Sequence, residues 1–237
     1  MQLATIRIPS ADVELIRVDG EFVYSWHCHT RRWVLGTALA GSCTLTTLEA
    51  TRHPAWFALP PLTGHALTIG PGATVITASI GPEALRATGT DTMTKTLRAA
   101  ATQAGWSTTW VATLAPALGE VATAAEPVRA RIVAELLDEV DGDTASTVPE
   151  LAAGVGLSPA YLSRACARHT GLPPHQLLMQ HRLRQAQAYL ADGMTPADAA
   201  HQAGFYDQSH LNRQFRRAVG VTPTAYLTAV QTAIDTA

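Results

Sequence analysis

Residues 199–226, AAHQAGFYDQSHLNRQFRRAVGVTPTAY, restate a pattern that the chain has already spelled once. Gly156-Leu157 recurs 48 residues on as Gly204-Phe205. At a spacing of 49, Leu162 recurs as Leu211, Arg164 as Arg213, Cys166 as Phe215, Arg168 as Arg217, Gly171 as Gly220 and Pro174 as Pro223. Two copies are too few for a solenoid, but they suffice for two helix-turn-helix units in one polypeptide. In the later copy Leu211, Phe215 and Val219 lie four apart and form one apolar helix face, leaving Gln208, Asn212, Arg213, Arg216 and Arg217 to point elsewhere. In the earlier copy Leu162, Cys166 and His169 are expected inward, and Ala160, Ser163, Arg164 and Arg168 outward. Gly156 and Gly204 stand where a tight interhelical turn needs a positive φ.

Helix starts around the repeat are legible. Thr147 with Glu150 and Thr195 with Asp198 fit capping boxes, and Ser158-Pro159, Thr195-Pro196 and Thr222-Pro223 each set a capping hydroxyl before a proline suited to the first helical turn. From Pro174 to about Ala191 no Gly or Pro interrupts, which predicts one helix about 27 Å long at ~1.5 Å per residue. Such a spacer would hold two reading helices about one DNA turn, roughly 34 Å, apart. Arginine can grip guanine O6 and N7, glutamine or asparagine can do the same for adenine, and serine adapts to either.

Composition agrees with a two-domain, soluble chain: 237 residues, 47% hydrophobic, with no apolar run of the roughly 20 residues a membrane span needs. Asp12, Glu14 and Arg17 stand where a signal peptide would be apolar, and Cys28, Cys43 and Cys166 are too few for a disulfide framework; a cytoplasmic location is expected. A net charge of −2 does not by itself favour nucleic acid, yet residues 145–227 hold seven arginines against four acids. Such a local excess is what phosphate attraction senses.

The segment Ala199 to Tyr226 closely resembles the second helix-turn-helix signature of AraC-type transcription regulators, and Val148 to His181 resembles the first. The resemblance covers roughly Pro127 to Leu227 and implies a seven-helix DNA-binding domain whose third and sixth helices enter the major groove of double-stranded DNA. Carried residue by residue, it places base contacts on Ala160, Ser163 and Arg164 in the first reading helix and on Gln208, Ser209 and Arg213 in the second. His210 and Asn212 are further candidates there. The outward-facing Arg168 is also a DNA-binding candidate, as is Arg217, which is expected to touch phosphate. Cys166 departs from the family's large apolar residue and is expected to be a buried, inert thiol. The family also implies homodimers, with RNA polymerase as a further partner.

Residues 13–80 read as short strands, Val13–Val18, Phe22–Trp26, Arg32–Ala40, Thr44–Leu48, Trp56–Leu59 and Ala73–Ile80, between turn residues. An alanine-rich helical pattern follows from about Asp91 to Leu118, then a helix from Pro127 to about Val140. In Tyr24-Ser25-Trp26-His27-Cys28-His29, alternation puts His27 and His29 on one face and Cys28 on the other. With His65 they resemble the two motifs of cupin-like sensor barrels that precede the DNA-binding domain in many AraC-type proteins, although Trp33 and Val34 occupy the region where metal-binding cupins carry a carboxylate. The expected fold is therefore α+β and multidomain. A small cupin-like β-barrel (1–88) leads through a helical linker and dimerisation element (89–126) to an all-α double helix-turn-helix domain (127–237).

Three roles for His27, His29 and His65 stay open at this level. They could bind a transition metal, line the pocket of a small organic effector beside Trp33 and Trp56, or make structural hydrogen bonds at a barrel rim. The leading expectation is an effector-responsive transcription regulator without catalytic activity; a metal sensor changes only the ligand. A cupin metalloenzyme fused to a DNA-binding module lacks a carboxylate to pair with the histidines, and no Ser-His-Asp set, phosphate loop or CxxC appears.

Overall fold

The computed structural model describes residues 2–8, 13–29, 32–123, 147–154 and 156–235. Its strands are β1 (Gln2–Ile8), β2 (Val13–Asp19), β3 (Phe22–His27), β4 (Trp33–Ala40), β5 (Cys43–Thr47), β6 (Thr51–Arg52), β7 (Trp56–Leu59), β8 (His65–Ile69) and β9 (Thr74–Ile80). They form a five-stranded antiparallel sheet in the order β1-β2-β9-β4-β7 and a four-stranded one in the order β3-β8-β5-β6. Strands β1, β6 and β8 go beyond the sequence reading. β1 occupies the stretch read only for its lack of a leader, β6 is two residues long, and β8 opens on a histidine straight after the Pro60-Pro61 turn.

Strand alternation gives the larger sheet two apolar faces. Leu15, Leu35, Ile76, Ala78 and Ile80 project to one side, while Val18, Val34 and Val75 meet Leu45, Leu67 and Ile69 of the smaller sheet on the other. Helices α1 (Pro82–Thr88), α2 (Thr90–Gln103) and α3 (Thr109–Thr123) cover the first side. Met93, Leu97 and Ala101 of α2 and Trp110 and Leu114 of α3 join that core, so the alanine-rich segment spends its apolar stripe inside its own chain. Helix α1 lies ahead of the expected start at Asp91, with Pro82 in its first turn.

The helical domain comprises α4 (Val148–Gly154), α5 (Pro159–Thr170), α6 (Pro174–Ala191), α7 (Pro196–Gln202), α8 (Gln208–Val219) and α9 (Pro223–Asp235). The expected helix from Pro127 to Val140 lies outside the described residues. The first unit shares its core with the two-sheet N-terminal domain: Cys28 and Leu62 pack among Leu151, Leu162, Cys166, Leu172 and Leu178. The second closes around Phe205, Leu211, Phe215 and Tyr226, and Leu3 of β1 packs against it. Polar ties reinforce the junction. Trp26 Nε1–H donates to the Thr170 carbonyl at 3.0 Å, Tyr226 Oη–H to Glu14 at 2.9 Å, and Arg7 reaches Asp192 at 3.3 Å.

Gly64 sits at the tightest point of this contact, where a Cβ would collide with the backbone carbonyl of Thr170 and with the Trp26 indole. Backbone cannot yield as a flexible side-chain tip can. Gly64→Ala should therefore lower stability by about 1–3 kcal/mol, measured as the urea midpoint; an unchanged midpoint would contradict the docking described.

Candidate DNA-reading helices and effector cavity

Each reading helix is fixed by local chemistry at both ends. The Ser158 hydroxyl accepts from Tyr161 N–H at 3.2 Å to start α5, and Asp207 accepts from His210 N–H at 2.6 Å to start α8. Gly171 and Gly220 close them in left-handed conformations at φ 70° and 84°, each donating its N–H to the carbonyl four residues back. Gly156 and Gly204 turn at φ 67° and 73°, as the repeat requires. The change of spacing from 48 to 49 has a visible cause: the second turn holds one more residue between glycine and cap, Tyr206, whose side chain is 93% exposed.

The division of faces follows the sequence pattern. Leu162 and Cys166 are buried on α5, as are Leu211, Phe215 and Val219 on α8. Ala160, Arg164 and Arg168 of α5 and Gln208, Ser209 and Arg213 of α8 are exposed, while Ser163 and Asn212 are half-buried. The His169 side chain lies outside what the structure describes. His210 is drawn partly inward by an edge-to-face contact with Phe205 at 5.4 Å. Arg217 is exposed but also borders the interdomain cavity described below, which makes Arg213 the cleaner probe of DNA contact. Cys166 is buried, and burial pushes its thiol up to about 11, in keeping with an inert side chain.

On the barrel side, β3 bears a register irregularity between Tyr24 and His27, beyond which His27 pairs directly with His65 of β8. His29 completes the group, with ring centroids 4.2 Å apart for His27–His65, 5.3 Å for His27–His29 and 5.7 Å for His29–His65. One ligand nitrogen from each ring can be chosen so that all three lie within 4.8 Å of one another. His27 Nδ1 lies 2.7 Å from the Ser25 carbonyl and His65 Nδ1 2.9 Å from that of Thr63. A carbonyl only accepts, so Nδ1 carries the proton in both rings and Nε2 keeps its lone pair. Burial, assisted by the neighbouring His65, pushes His27 down to about 3; burial and the adjacent rings hold His29 well below the usual imidazole range, and burial lowers His65. Cys28 points away into the core of the first helix-turn-helix unit, as alternation demands, and His53 hydrogen-bonds Thr44 at 3.0 Å.

These histidines line a cavity of about 550 Å³ between the N-terminal sheets and the helical domain. Ile16, Val34, Phe57 and Leu67 supply apolar walls from the strands; Gln176, Gln180, Arg184 and Gln187 of α6 form the facing wall, and Gln214 and Arg217 of α8 reach its edge. Trp33 and Trp56 do not line it. On β4 and β7 they alternate with the cavity-facing Val34 and Phe57 and pack on the helix-covered side of the sheet instead. Tyr24 and Tyr226 join the lining, and burial followed by the nearby Glu14 carboxylate raises both phenols, so both remain hydrogen-bond donors. Sequence reasoning missed the α6 wall, although its polar stripe at helical spacing (176, 180, 184, 187) on a helix otherwise rich in buried residues was a usable signal.

Residues 151–229 match the helix-turn-helix domain family. The segment is an AraC-type helix-turn-helix domain. Over 81 residues, 34% of this chain, the AraC-type domain is 36% identical to an uncharacterised HTH-type transcriptional regulator, YbfI, of Bacillus subtilis, covering 29% of that protein. Over 81 residues it is 31% identical to the probable transcriptional regulator LumQ of Photobacterium leiognathi, covering 33% of it. The match thus spans about a third of the length of these curated relatives. Across both domains the chain shares the fold of ToxT from Vibrio cholerae, with a TM-score of 0.66 at 12% identity over 92% of this chain and 97% of that one. ToxT has also been solved bound to an unsaturated fatty acid, and that structure aligns with a TM-score of 0.61 at 12% identity over 92% and 94% of the two chains. No helix among the described residues is long and apolar enough to cross a membrane.

The cap of the AraC-type domain's second reading helix is open to test. Asp207→Ala removes the carboxylate that satisfies His210 N–H and should cost about 1 kcal/mol, read by thermal unfolding. No loss would mean that α8 starts independently of this cap.

Proposed function

We propose that the chain is a sequence-specific DNA-binding transcription regulator whose DNA affinity is set by a small molecule held in the interdomain cavity. The observation that carries this reading is the position of the cavity: one wall is α6, the helix that joins the two helix-turn-helix units, and its edge is α8. A ligand there touches barrel and DNA-reading elements together. Coupling arises to the extent that it binds two relative arrangements of these elements with different affinity. On this reading the protein carries out no catalysis of its own.

The cavity chemistry favours an amphipathic ligand with an anionic head. Its volume falls in the ordinary range for small-molecule sites, its strand side is apolar, and Arg184 and Arg32 border it. The buried Tyr24 hydroxyl has no hydrogen-bond partner within the protein and would gain one from a polar ligand group. The fatty acid bound to ToxT has this chemistry, which makes an unsaturated carboxylate such as oleate the first probe. Oleate should raise the melting temperature saturably, and Tyr24→Phe should weaken it by about 0.5–1.5 kcal/mol. The absence of any shift would remove the carboxylate reading while leaving the DNA assignment intact.

For DNA, the proposed base contacts are Ala160, Ser163, Arg164, Gln208, Ser209 and Arg213, with Asn212 and His210 beside them and Arg168 and Arg217 toward phosphate. Selection from random duplexes should yield a preferred site. Arg213→Ala should then cost about 1–3 kcal/mol and relax one base position, whereas Arg168→Ala should weaken all sequences alike and reduce the salt slope by about 1. Equal losses on selected and random DNA for both variants would overturn the assignment. We further propose that the protein acts as a homodimer and with RNA polymerase, which a cross-linking assay at the selected site would detect.

A further inference from the structure

We propose that Tyr206, joined by Tyr161 in the first unit, is an uncharged phosphate anchor: each phenol donates a hydrogen bond to the DNA backbone at the leading end of a reading helix. The proposal rests on the reading of α5 and α8 as DNA-reading helices, and adds two contacts that the repeat pattern does not supply.

Local chain geometry turns Tyr206 outward. After Gly204, at a φ of 73°, the chain buries Phe205 in the core of the second unit, and the Asp207 cap that starts α8 follows two residues on. The residue between them is left outside that core, with its side chain 93% exposed. In the first unit Leu157 runs straight into the Ser158 cap, so nothing corresponds to Tyr206 there. Tyr161 is exposed for a different reason. It stands in the first turn of α5, 52% exposed, two helical turns ahead of Arg168 and on the same flank. Single exposed aromatic rings need no explanation, but the placement of these two does. The exposed large hydrophobic side chains among the described residues are Val23, Leu48, Tyr161 and Tyr206, and both aromatic ones lie within three residues of the cap of a reading helix.

A phenol suits position 206 better than a guanidinium would. The Asp207 carboxylate beside it is committed to His210 N–H at 2.6 Å, and a neighbouring arginine would compete for that carboxylate, whereas a tyrosine hydroxyl donates without charge. Tyrosine is among the ordinary donors to phosphate oxygens, contacts that fix register and carry no sequence information. The reach also fits. Helix α8 has 12 residues, about 18 Å at ~1.5 Å per residue, against a major groove roughly 12 Å wide. Its leading end with Tyr206 and its last turn with Arg217 can therefore meet the two strands that border one groove. An uncharged donor displaces no counterion, so its loss lowers affinity and leaves the salt slope alone, unlike the loss of Arg168.

The test uses the full chain and the duplex selected from random sequence, with affinity read by fluorescence anisotropy over a series of salt concentrations. Tyr206→Phe should bind selected and random duplexes about three- to tenfold more weakly, with the slope against salt and the melting temperature as in wild type. Tyr161→Phe should behave likewise. A single methylphosphonate, scanned along the selected duplex, should weaken wild type at the phosphate that Tyr206 holds and leave Tyr206→Phe indifferent there. Wild-type affinity in Tyr206→Phe, a loss confined to the selected duplex, a changed salt slope, or equal methylphosphonate sensitivity in the two proteins overturns the anchor. A Tyr206→Phe variant that binds DNA normally but transcribes poorly with RNA polymerase also overturns it and assigns the hydroxyl to the polymerase. If wild type binds no duplex, the regulator reading falls and takes this proposal with it; wild-type binding beside an unaffected Tyr206→Phe removes this proposal alone.

Discussion

The junction between the two domains is centred on one side chain gripping a strand end. Gln180, midway along α6, accepts from Cys28 N–H and donates to the Trp26 carbonyl, so it replaces the strand partner that β3 lacks where its ladder with β8 becomes irregular. Unpaired peptide groups at a buried junction cost the full desolvation of each group, which makes such a two-bond amide contact worth more than its count suggests. Around it the apolar contacts of Leu62, Leu162 and Leu178 exclude water. This grip adds to the Trp26–Thr170, Tyr226–Glu14 and Arg7–Asp192 ties that hold the helix-turn-helix units on the N-terminal sheets. With it, the cavity has a roof.

The roof explains why cavity and reading helices belong to one device. A helix that only spaced two DNA-reading units would show a solvated outer side, but α6 buries Leu177, Leu178, His181, Leu183, Ala186 and Leu190 and turns its remaining polar stripe toward the histidines. The spacer is therefore also a cavity-facing element. Strain collects at the same junction: Leu62 is the one non-glycine residue with positive φ among the described residues. Such outliers persist only where surrounding packing over-determines them.

What was legible in the sequence is what acts within a turn or two of chain. The Thr147–Glu150 and Thr195–Asp198 pairs, the Ser158 cap, the glycines at 156 and 204 and the uninterrupted run Pro174–Ala191 are all met by the structure, because caps and turns obey local chemistry. Alternation likewise placed His27 and His29 together and Cys28 opposite, at and just past the end of β3. Trp33 and Trp56, expected beside the histidines, instead share the face of the β4–β7 pair opposite the cavity-lining Val34 and Phe57. The polar stripe of α6 was legible, but not the element it faces: Cys28 and Gln180 meet across 152 positions of sequence, and nothing local announces such a contact.

The glycines that end the two reading helices have a wider meaning. Gly171 lies against Trp26 and Gly220 against Phe22, so the tails of both helices rest on rings from one strand, four residues or about 13 Å apart. A strand is stiff along its length. A shift of β3 would therefore bear on both helix ends at once. If both helices enter DNA as proposed, the gap between the two contacted grooves is set by the protein's skeleton, and a binding site should forgive an altered letter far more readily than an inserted base pair.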